Sequence, residues 1–311
     1  MKKLNIVFFG TPDFSVPSLE ILANHPHINI KYVISMPDRK AGRGMELKSP
    51  EVIEYAKQNK IPFFQTENIN KEEDFIKTIE GEKIDAFIVL AFAQFLGSKV
   101  LNLPSLGCFN IHTSLLPKYR GAAPIQYALL NGDSSTGVSI QRMVKKMDAG
   151  DLAWSHAVKI NEGETGGQLY TRLKFQAALA LNDFLFALKD GSITYEKQDE
   201  SQVSFAPTLK REDGFLDFKN QNFKTISNKV CALYPWPGTY CFLDKKRMKV
   251  FNISKSSSKL APGEINIKNS HLLVGCLDQT VRLNYIQLEG KKACSDIELL
   301  NGLKKDIVIN P

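Results

Sequence analysis

The sequence predicts an α/β protein: a doubly wound parallel sheet followed by a small β-barrel. Three observations predict it. Through the first half, continuous apolar runs alternate with segments of helical periodicity. After Lys189 the pattern breaks in a polar stretch, 190–207. Beyond it, short apolar runs are separated by Gly, Pro, Asn and Ser, which suits a small all-β module.

Each element has its own signal. Leu4–Phe9 is apolar throughout and ends at Gly10, as a strand buried on both faces requires. Ser15–Asn24 carries Leu19, Leu22 and Ala23 at helical spacing, and Ile30–Ser35 is a second strand. Glu51–Gln58 and Glu72–Ile79 are helical, Asp85–Leu90 is a strand, and Gly107–His112 is another. Strand-like runs follow at 137–143 and 152–158. Gln168–Lys189 is one long helix with Leu169, Leu173, Ala177, Ala180, Leu181, Phe184 and Leu188 on one side. Phe223, Ile226, Val230 and Leu233 mark a short helix. Strands are then expected at 239–243, 248–253, 271–276 and 281–288.

The chain has 311 residues, room for two domains, expected at 1–189 and 208–311 with a linker at 190–207. No run approaches the roughly 18 apolar residues of a membrane span. The N-terminal apolar run is short and leads into Gly10-Thr11-Pro12-Asp13 without a small-residue cleavage site. It is therefore expected to be a buried strand and not a signal peptide, in a cytoplasmic protein. The five cysteines are odd in number and form no C-x-x-C pair, so neither a disulfide framework nor a structural zinc site is expected. The net charge is +7. Residues 1–207 carry 23 basic and 23 acidic side chains, so the excess lies entirely in 208–311. Segregated positive charge suits a polyanionic partner; a lysine-rich solvated surface is the blander explanation.

In an open α/β sheet, ligands bind beyond the carboxyl ends of the strands. Asn110 and His112, two apart near one such end, face the same side. A carboxamide and an imidazole there offer two N–H donors to an oxyanion, as acyl transfer needs. Otherwise Asn110 closes the strand and His112 is a satisfied buried histidine. The loop Met147-Asp148-Ala149-Gly150-Asp151 is rich in small residues, and Asp148 can orient His112 from it. Gly10-Thr11-Pro12-Asp13-Phe14 is neither a dinucleotide fingerprint nor a Walker loop. Pro37–Gly44 is a basic, glycine-bearing loop able to grip phosphates. Each of these loops is also readable as a plain solvated turn.

Asn110-Ile111-His112-Thr113-Ser114-Leu115-Leu116-Pro117 resembles the N-x-H-x-S-L-L-P signature of the folate-dependent formyltransferases. Arg120-Gly121-Ala122-Ala123-Pro124-Ile125 and Asp148-Ala149-Gly150-Asp151 follow in the family's order. Phe9–Phe14, Pro37–Gly44 and Pro235-Trp236-Pro237-Gly238 are similar to the branch that acts on methionyl-tRNA. The resemblance implies a Rossmann-like domain joined to an OB-like barrel. It implies transfer of a formyl group from 10-formyltetrahydrofolate to the amino group of methionyl initiator tRNA, without a metal. The catalytic set then falls on Asn110, His112 and Asp148, with Asn110 and His112 both donating to the formyl oxygen. Folate contacts fall on Ser114, Leu115, Leu116 and Pro117. The tRNA loop falls on Arg39, Lys40, Arg43 and Lys48. Lys245, Lys246, Arg247 and Lys249 are expected to track phosphates, with Tyr234, Trp236 and Tyr240 as stacking surfaces or core aromatics. Two positions depart from the family pattern: Thr113 replaces a small residue or proline, and Phe92-Ala93-Gln94-Phe95-Leu96-Gly97 replaces an aromatic-glycine stretch ending in proline. Both border the expected folate pocket. The competing readings are a formyltransferase acting on a nucleotide-linked amino sugar and a non-catalytic tRNA- or folate-binding protein. A monomer is the expected state.

Overall fold

Strands without a polar face need cover on both sides, and the chain supplies it by alternating them with helices. The computed structural model describes residues 3–41, 44–243 and 245–301. Its first part runs β1 (Leu4–Gly10), α1 (Val16–Asn24), β2 (Ile28–Ser35), β3 (Arg39–Ala41), β4 (Glu46–Lys48), α2 (Glu51–Gln58), β5 (Phe63–Gln65), α3 (Glu73–Gly81), β6 (Ala86–Leu90), α4 (Ser98–Leu101) and β7 (Gly107–His112). There follow α5 (Pro124–Leu130), β8 (Ser135–Arg142), β9 (Leu152–Lys159) and α6 (Gly166–Asp190). The seven-stranded sheet has the order β5-β2-β1-β6-β7-β8-β9.

The pairs from β5 to β7 are parallel, but β7–β8 and β8–β9 are antiparallel. The sheet is thus parallel-dominated with an antiparallel edge. The reason is local. The chain leaving His112 re-enters the sheet from the same end, so β8 runs back beside β7, with His112 opposite Ser139 and Asn110 opposite Gln141.

On one face Val7, Phe9, Phe87, Val89 and Cys108 pack with Ile76 and Ile79 of α3 and Val100 of α4. On the other, Phe109 meets Phe184 of α6 edge-on at 4.9 Å. Each fully buried phenylalanine contributes about 1.5–3 kcal/mol. Phe9, Val89 and Asn110 stand level across three adjacent strands, which brings the polar Asn110 to the end of an apolar row.

The expected basic loop at 37–44 contains a strand. β3 and β4 form a hairpin with Arg39 opposite Lys48 and Lys40 opposite Leu47. Arg43 lies outside the described residues. The short elements β5, α4 and α5 have too few residues to show a period.

Two compact units emerge. The first holds the chain to Pro124, Ser135–Lys159 and Tyr170–Ala206; the second holds Ile125–Ser134, Ile160–Leu169 and the chain from Pro207 on. Of the expected linker, 190–207, all but Pro207 is therefore part of the first unit. Glu196 exchanges two backbone hydrogen bonds with Leu152, and Ala206 donates to the Arg120 carbonyl at 2.8 Å. A polar composition conceals such pairing because backbone groups make it.

The second unit contains α7 (Phe223–Ala232), β10 (Thr239–Leu243), β11 (Lys246–Ser256), β12 (Ile265–Lys268), β13 (His271–Gly275), β14 (Thr280–Leu288), β15 (Cys294–Ser295) and α8 (Asp296–Asn301). The side chain of Asn222 caps α7 by accepting from Thr225 N–H at 2.9 Å. The antiparallel order is β10-β11-β14-β13-β12, with β15 on β14. Among the described residues this path has two free ends, so the expected barrel is an antiparallel sheet that does not close. Ile226 and Val230 of α7 and Leu299 of α8 pack into the core of Met248, Val250, Leu272, Val281, Leu283 and Ile286, covering the apolar face that closure would otherwise seal.

Asp296 is fully buried and anchors that core to α8. It accepts two hydrogen bonds from Arg282, at 2.8 and 2.9 Å, and one from Leu272 N–H at 3.1 Å. Burial pushes its carboxyl up, but the Arg282 and backbone donors outweigh this and hold it below the usual value. Its contribution is therefore present above the unfolded carboxylate value and is lost as pH falls through the native one. Asp296→Asn is expected to lower the urea-unfolding free energy of this unit by about 2–3 kcal/mol. It should also flatten the acid limb of stability against pH; an unchanged midpoint and acid limb would contradict the assignment.

Candidate active site

The site is built at the carboxyl end of β7. Asn110 and His112 project to one face of the sheet, and Gln141, opposite Asn110 on β8, shares it. The β8–β9 loop folds back over that face. It can do so because Gly150 has no Cβ, which would otherwise come within 1.7 Å of the Arg142 carbonyl. Asp148 sits in this loop at φ 50°, a left-handed conformation that aspartate tolerates better than most residues.

The Asp148 carboxylate is held from several directions. One oxygen accepts from Gly121 N–H at 2.9 Å. The other accepts from Gln141 Nε2 at 2.9 Å and lies 3.4 Å from Asn110 Nδ2. Gly121 makes its contact at φ 124°, where only glycine is comfortable, and a Cβ there would strike the Ala206 carbonyl.

His112 is 6% exposed. Its Nε2 lies 2.8 Å from the Tyr119 carbonyl oxygen, which can only accept. Nε2 therefore carries the proton, and Nδ1 is the bare nitrogen of the neutral ring. Nδ1 faces Asp148 at 3.8 Å. This changes the role expected of His112. A neutral ring has no free N–H for an oxyanion; it offers a lone pair, and it becomes a donor at Nδ1 only after taking a proton.

The structure thus brings Asn110, His112 and Asp148 together. It treats the 114–117 stretch differently. Ser114 is fully buried and its hydroxyl donates to the Lys118 carbonyl at 2.6 Å, while Leu116 N–H donates to Ser139 Oγ. Ser114 and Leu116 build the turn; Leu115 and Pro117 are only partly exposed. Residues 92–97 run along the carboxyl edge of the sheet. Phe92 stacks edge-on against Phe9 at 5.3 Å. Asn70 fixes this strip by donating to the Phe95 carbonyl and accepting from Gly97 N–H. Among the described residues, the backbone N–H groups of Ala93, Gln94, Phe95 and Leu96 have no backbone partner. Cys108, further back on the same face, has its thiol pushed up to about 12 by burial and is a packing residue.

Sequence reasoning missed Gln141, Tyr119 and Gln198. Gln141 is 2% exposed, but its strand also carries Ser135, Thr136 and Ser139, so a polar side chain there did not stand out. Tyr119 acts through its carbonyl, which no side-chain pattern reveals. Gln198 lies in the polar stretch; its Nε2 donates to the carbonyls of Asp148 and Gly150, and its Oε1 accepts from Arg120. Glu200, hydrogen-bonded by Arg120 and then by Lys146, is held down to about 2.

The basic candidates fall in two places. In the first unit, Arg39 and Lys48 stand opposite each other on the β3–β4 hairpin, paired with Glu67 at 3.2 Å and Glu51 at 2.7 Å, and Lys40 is exposed. In the second unit, Lys245 and Lys246 are exposed at the β10–β11 turn. Arg247 and Lys249 stand opposite Phe242 and Tyr240, on the sheet face away from Met248 and Val250. The Arg247 guanidinium lies over the Tyr240 ring, 3.7 Å from its centre. Phe251 links this face to Tyr234 and Tyr285, and Trp236 is exposed. Lysine, arginine and open aromatic rings together form a surface suited to phosphates and unpaired bases. Among the described residues no cluster of three or more His, Cys, Asp and Glu could hold a metal ion, and no helix is long and apolar enough to cross a membrane.

Comparison with known proteins places these features. Residues 2–185 match the formyl transferase family model, and 208–304 match the model for the formyl transferase C-terminal domain. A methionyl-tRNA formyltransferase of Geobacter metallireducens is 37% identical, covering 98% of this chain and 97% of its own. One from Thermotoga maritima is 40% identical, covering 96% and 95%. Among solved structures, an N-formyltransferase from Helicobacter canadensis, in complex with folinic acid and dTDP-3-aminofucose, aligns with a TM-score of 0.68 at 19% identity over 91% of this chain and 99% of its own. At that identity the likeness concerns the fold.

The ring assignment is directly measurable. Nitrogen-15 NMR of the free protein is expected to show neutral His112 as the Nε2–H tautomer, with a pyridine-like Nδ1. An Nδ1–H tautomer would refute the Tyr119 anchor.

Proposed function

The chain belongs to the formyl transferase family, and we propose that it transfers the formyl group of 10-formyltetrahydrofolate to the α-amino group of methionyl initiator tRNA, giving N-formylmethionyl-tRNA for translation initiation. The convergence of Asn110, His112 and Asp148 beyond the end of β7 carries this reading. It needs no nucleophile from the protein, because the substrate amine supplies one. The basic-aromatic face of the second unit and the β3–β4 hairpin support a polyanionic acceptor.

In the mechanism we propose, the amine lone pair attacks the formyl carbon. An α-amino group titrates at about 7.7–8.0, so part of it is neutral near pH 7. Negative charge then grows on the formyl oxygen, where the Asn110 amide donates. Nδ1 of His112 takes the proton that the amine loses, and Asp148 stabilises the resulting imidazolium. The proton returns to folate N10 as the C–N10 bond breaks, leaving an N-formyl amine and tetrahydrofolate. Tyr119 holds the ring at Nε2 and Asp148 faces Nδ1, so the same nitrogen, Nδ1, accepts and gives back the proton. The folate ring has two supports on the sheet edge: the partly exposed Phe92, backed by the buried Phe9, and the N–H groups of Ala93–Leu96, which have no backbone partner among the described residues.

The decisive assay offers 10-formyltetrahydrofolate with charged initiator tRNA in one arm and a nucleotide-linked amino sugar in the other. Formylation of the tRNA alone is expected. Formylation of the sugar alone would transfer the reading to that class, and neither product would leave a binding protein. Asn110→Ala is expected to lower kcat by about 100- to 1,000-fold, the usual effect of losing one oxyanion donor; full activity would remove Asn110 from the mechanism.

The tRNA face makes a separate prediction. Raising salt from about 50 to 200 mM should weaken tRNA binding steeply. Lys249→Ala should reduce the slope of log affinity against log salt by about 1. A salt-independent KM for the tRNA would argue against phosphate contacts.

A further inference from the structure

The polar stretch after α6 has no role in the chemistry so far, yet it hydrogen-bonds to the chain on either side of the two backbone groups that orient His112 and Asp148. Ser204 brackets one anchor: its hydroxyl accepts from Tyr119 N–H at 2.9 Å, and its carbonyl accepts from Arg120 N–H at 2.9 Å. Ala206 closes the same segment, donating to the Arg120 carbonyl and accepting from Ala123 N–H at 3.1 Å. Between these clamps lie the Tyr119 carbonyl that holds His112 and the Gly121 N–H that holds Asp148.

Gln198 grips the opposite side. Its single Nε2 donates to the Asp148 carbonyl at 2.9 Å and the Gly150 carbonyl at 2.7 Å, bridging the turn that carries the carboxylate. Its Oε1 accepts two N–H groups from Arg120, at 2.8 and 3.1 Å. Arg120 is 2% exposed, so this guanidinium fixes which way the amide points. Gln141 works from the sheet side, donating to the carboxylate and accepting from Gly150 N–H at 3.0 Å. The loop is thus held between two glutamines. Gln141 belongs to a strand, whereas Gln198 belongs to a segment that meets the sheet through the Glu196–Leu152 pair.

We propose that residues 196–206 form a strap that positions the reactive pair, with Gln198 as the positioning residue that sets the Asp148 turn against His112. The proposal rests on the formyl-transfer reading for its kinetic consequence but not for its geometry. A misplacement of about 1 Å in such a group costs up to 100-fold in rate, so a residue touching no substrate can still govern turnover.

Two variants test it. Gln198→Ala removes the contacts to both carbonyls and to Arg120. Gln198→Glu keeps the acceptor for Arg120 but turns a carboxylate oxygen toward two carbonyls. Both are expected to lower kcat by about 10- to 100-fold, while KM for the folate and for the charged tRNA stays within about twofold. Ser201→Ala, a change in the same strap at a residue whose hydroxyl donates to Asp199, should leave activity unchanged. The second readout needs no substrate: nitrogen-15 and carbon-13 signals of His112 should move in both Gln198 variants and stay in place in Ser201→Ala. Parental kcat with unmoved His112 signals would overturn the proposal. Failure of both Gln198 variants to fold would also overturn it, by making the residue structural. If the unaltered protein formylates no tRNA but the His112 signals still move, the positioning role stands and the formyl-transfer reading falls.

Discussion

The first unit depends on how one carboxylate is held. Asp148 leaves the sheet on a loop that turns back over the face of β7 and β8, adopts a left-handed backbone and brings a charge into a nearly closed site. A buried carboxylate is costly unless donors surround it. Here Gly121 and Gln141 supply hydrogen bonds and Asn110 lies within reach. Much of the surrounding chain exists in this form because these donors must arrive together. The antiparallel return of β8 puts Gln141 opposite Asn110. The glycine at 121 lets a backbone N–H point inward. The strap pins that backbone from behind.

The histidine illustrates the same economy. One ring nitrogen is committed to a backbone carbonyl, leaving the other as the only proton acceptor facing the carboxylate. A single anchor thus decides the tautomer. The proposed acyl chemistry draws on that arrangement: a neutral amide to polarise the carbonyl, a base to take the proton, and a fixed charge to stabilise the imidazolium.

The second unit answers a different physical demand. Its sheet has an apolar face, covered by α7 and α8, and an opposite face carrying Tyr240, Phe242, Arg247 and Lys249. The excess positive charge of the sequence is concentrated in this region. Charge alone describes a field; guanidinium and rings together describe a surface with shape.

The main strands and helices were legible because each buries a long apolar row with one clear period. Gly107–His112 and Glu51–Gln58 agree to the residue. The β3–β4 hairpin, the antiparallel edge and the unclosed sheet were not legible, because three-residue strands carry no period and strand direction depends on where the chain re-enters. Asn110, His112 and Asp148 could be named from spacing and resemblance, since the proposed chemistry uses their side chains. What the linear order could not contain was their orientation. That is decided by the Tyr119 carbonyl, 7 residues from His112, by the Gly121 N–H, 27 from Asp148, and by the amide of Gln198, 50 from Asp148. Side-chain identity is written locally and so can be read locally; the direction of a hydrogen bond is settled only when distant backbone is packed against it.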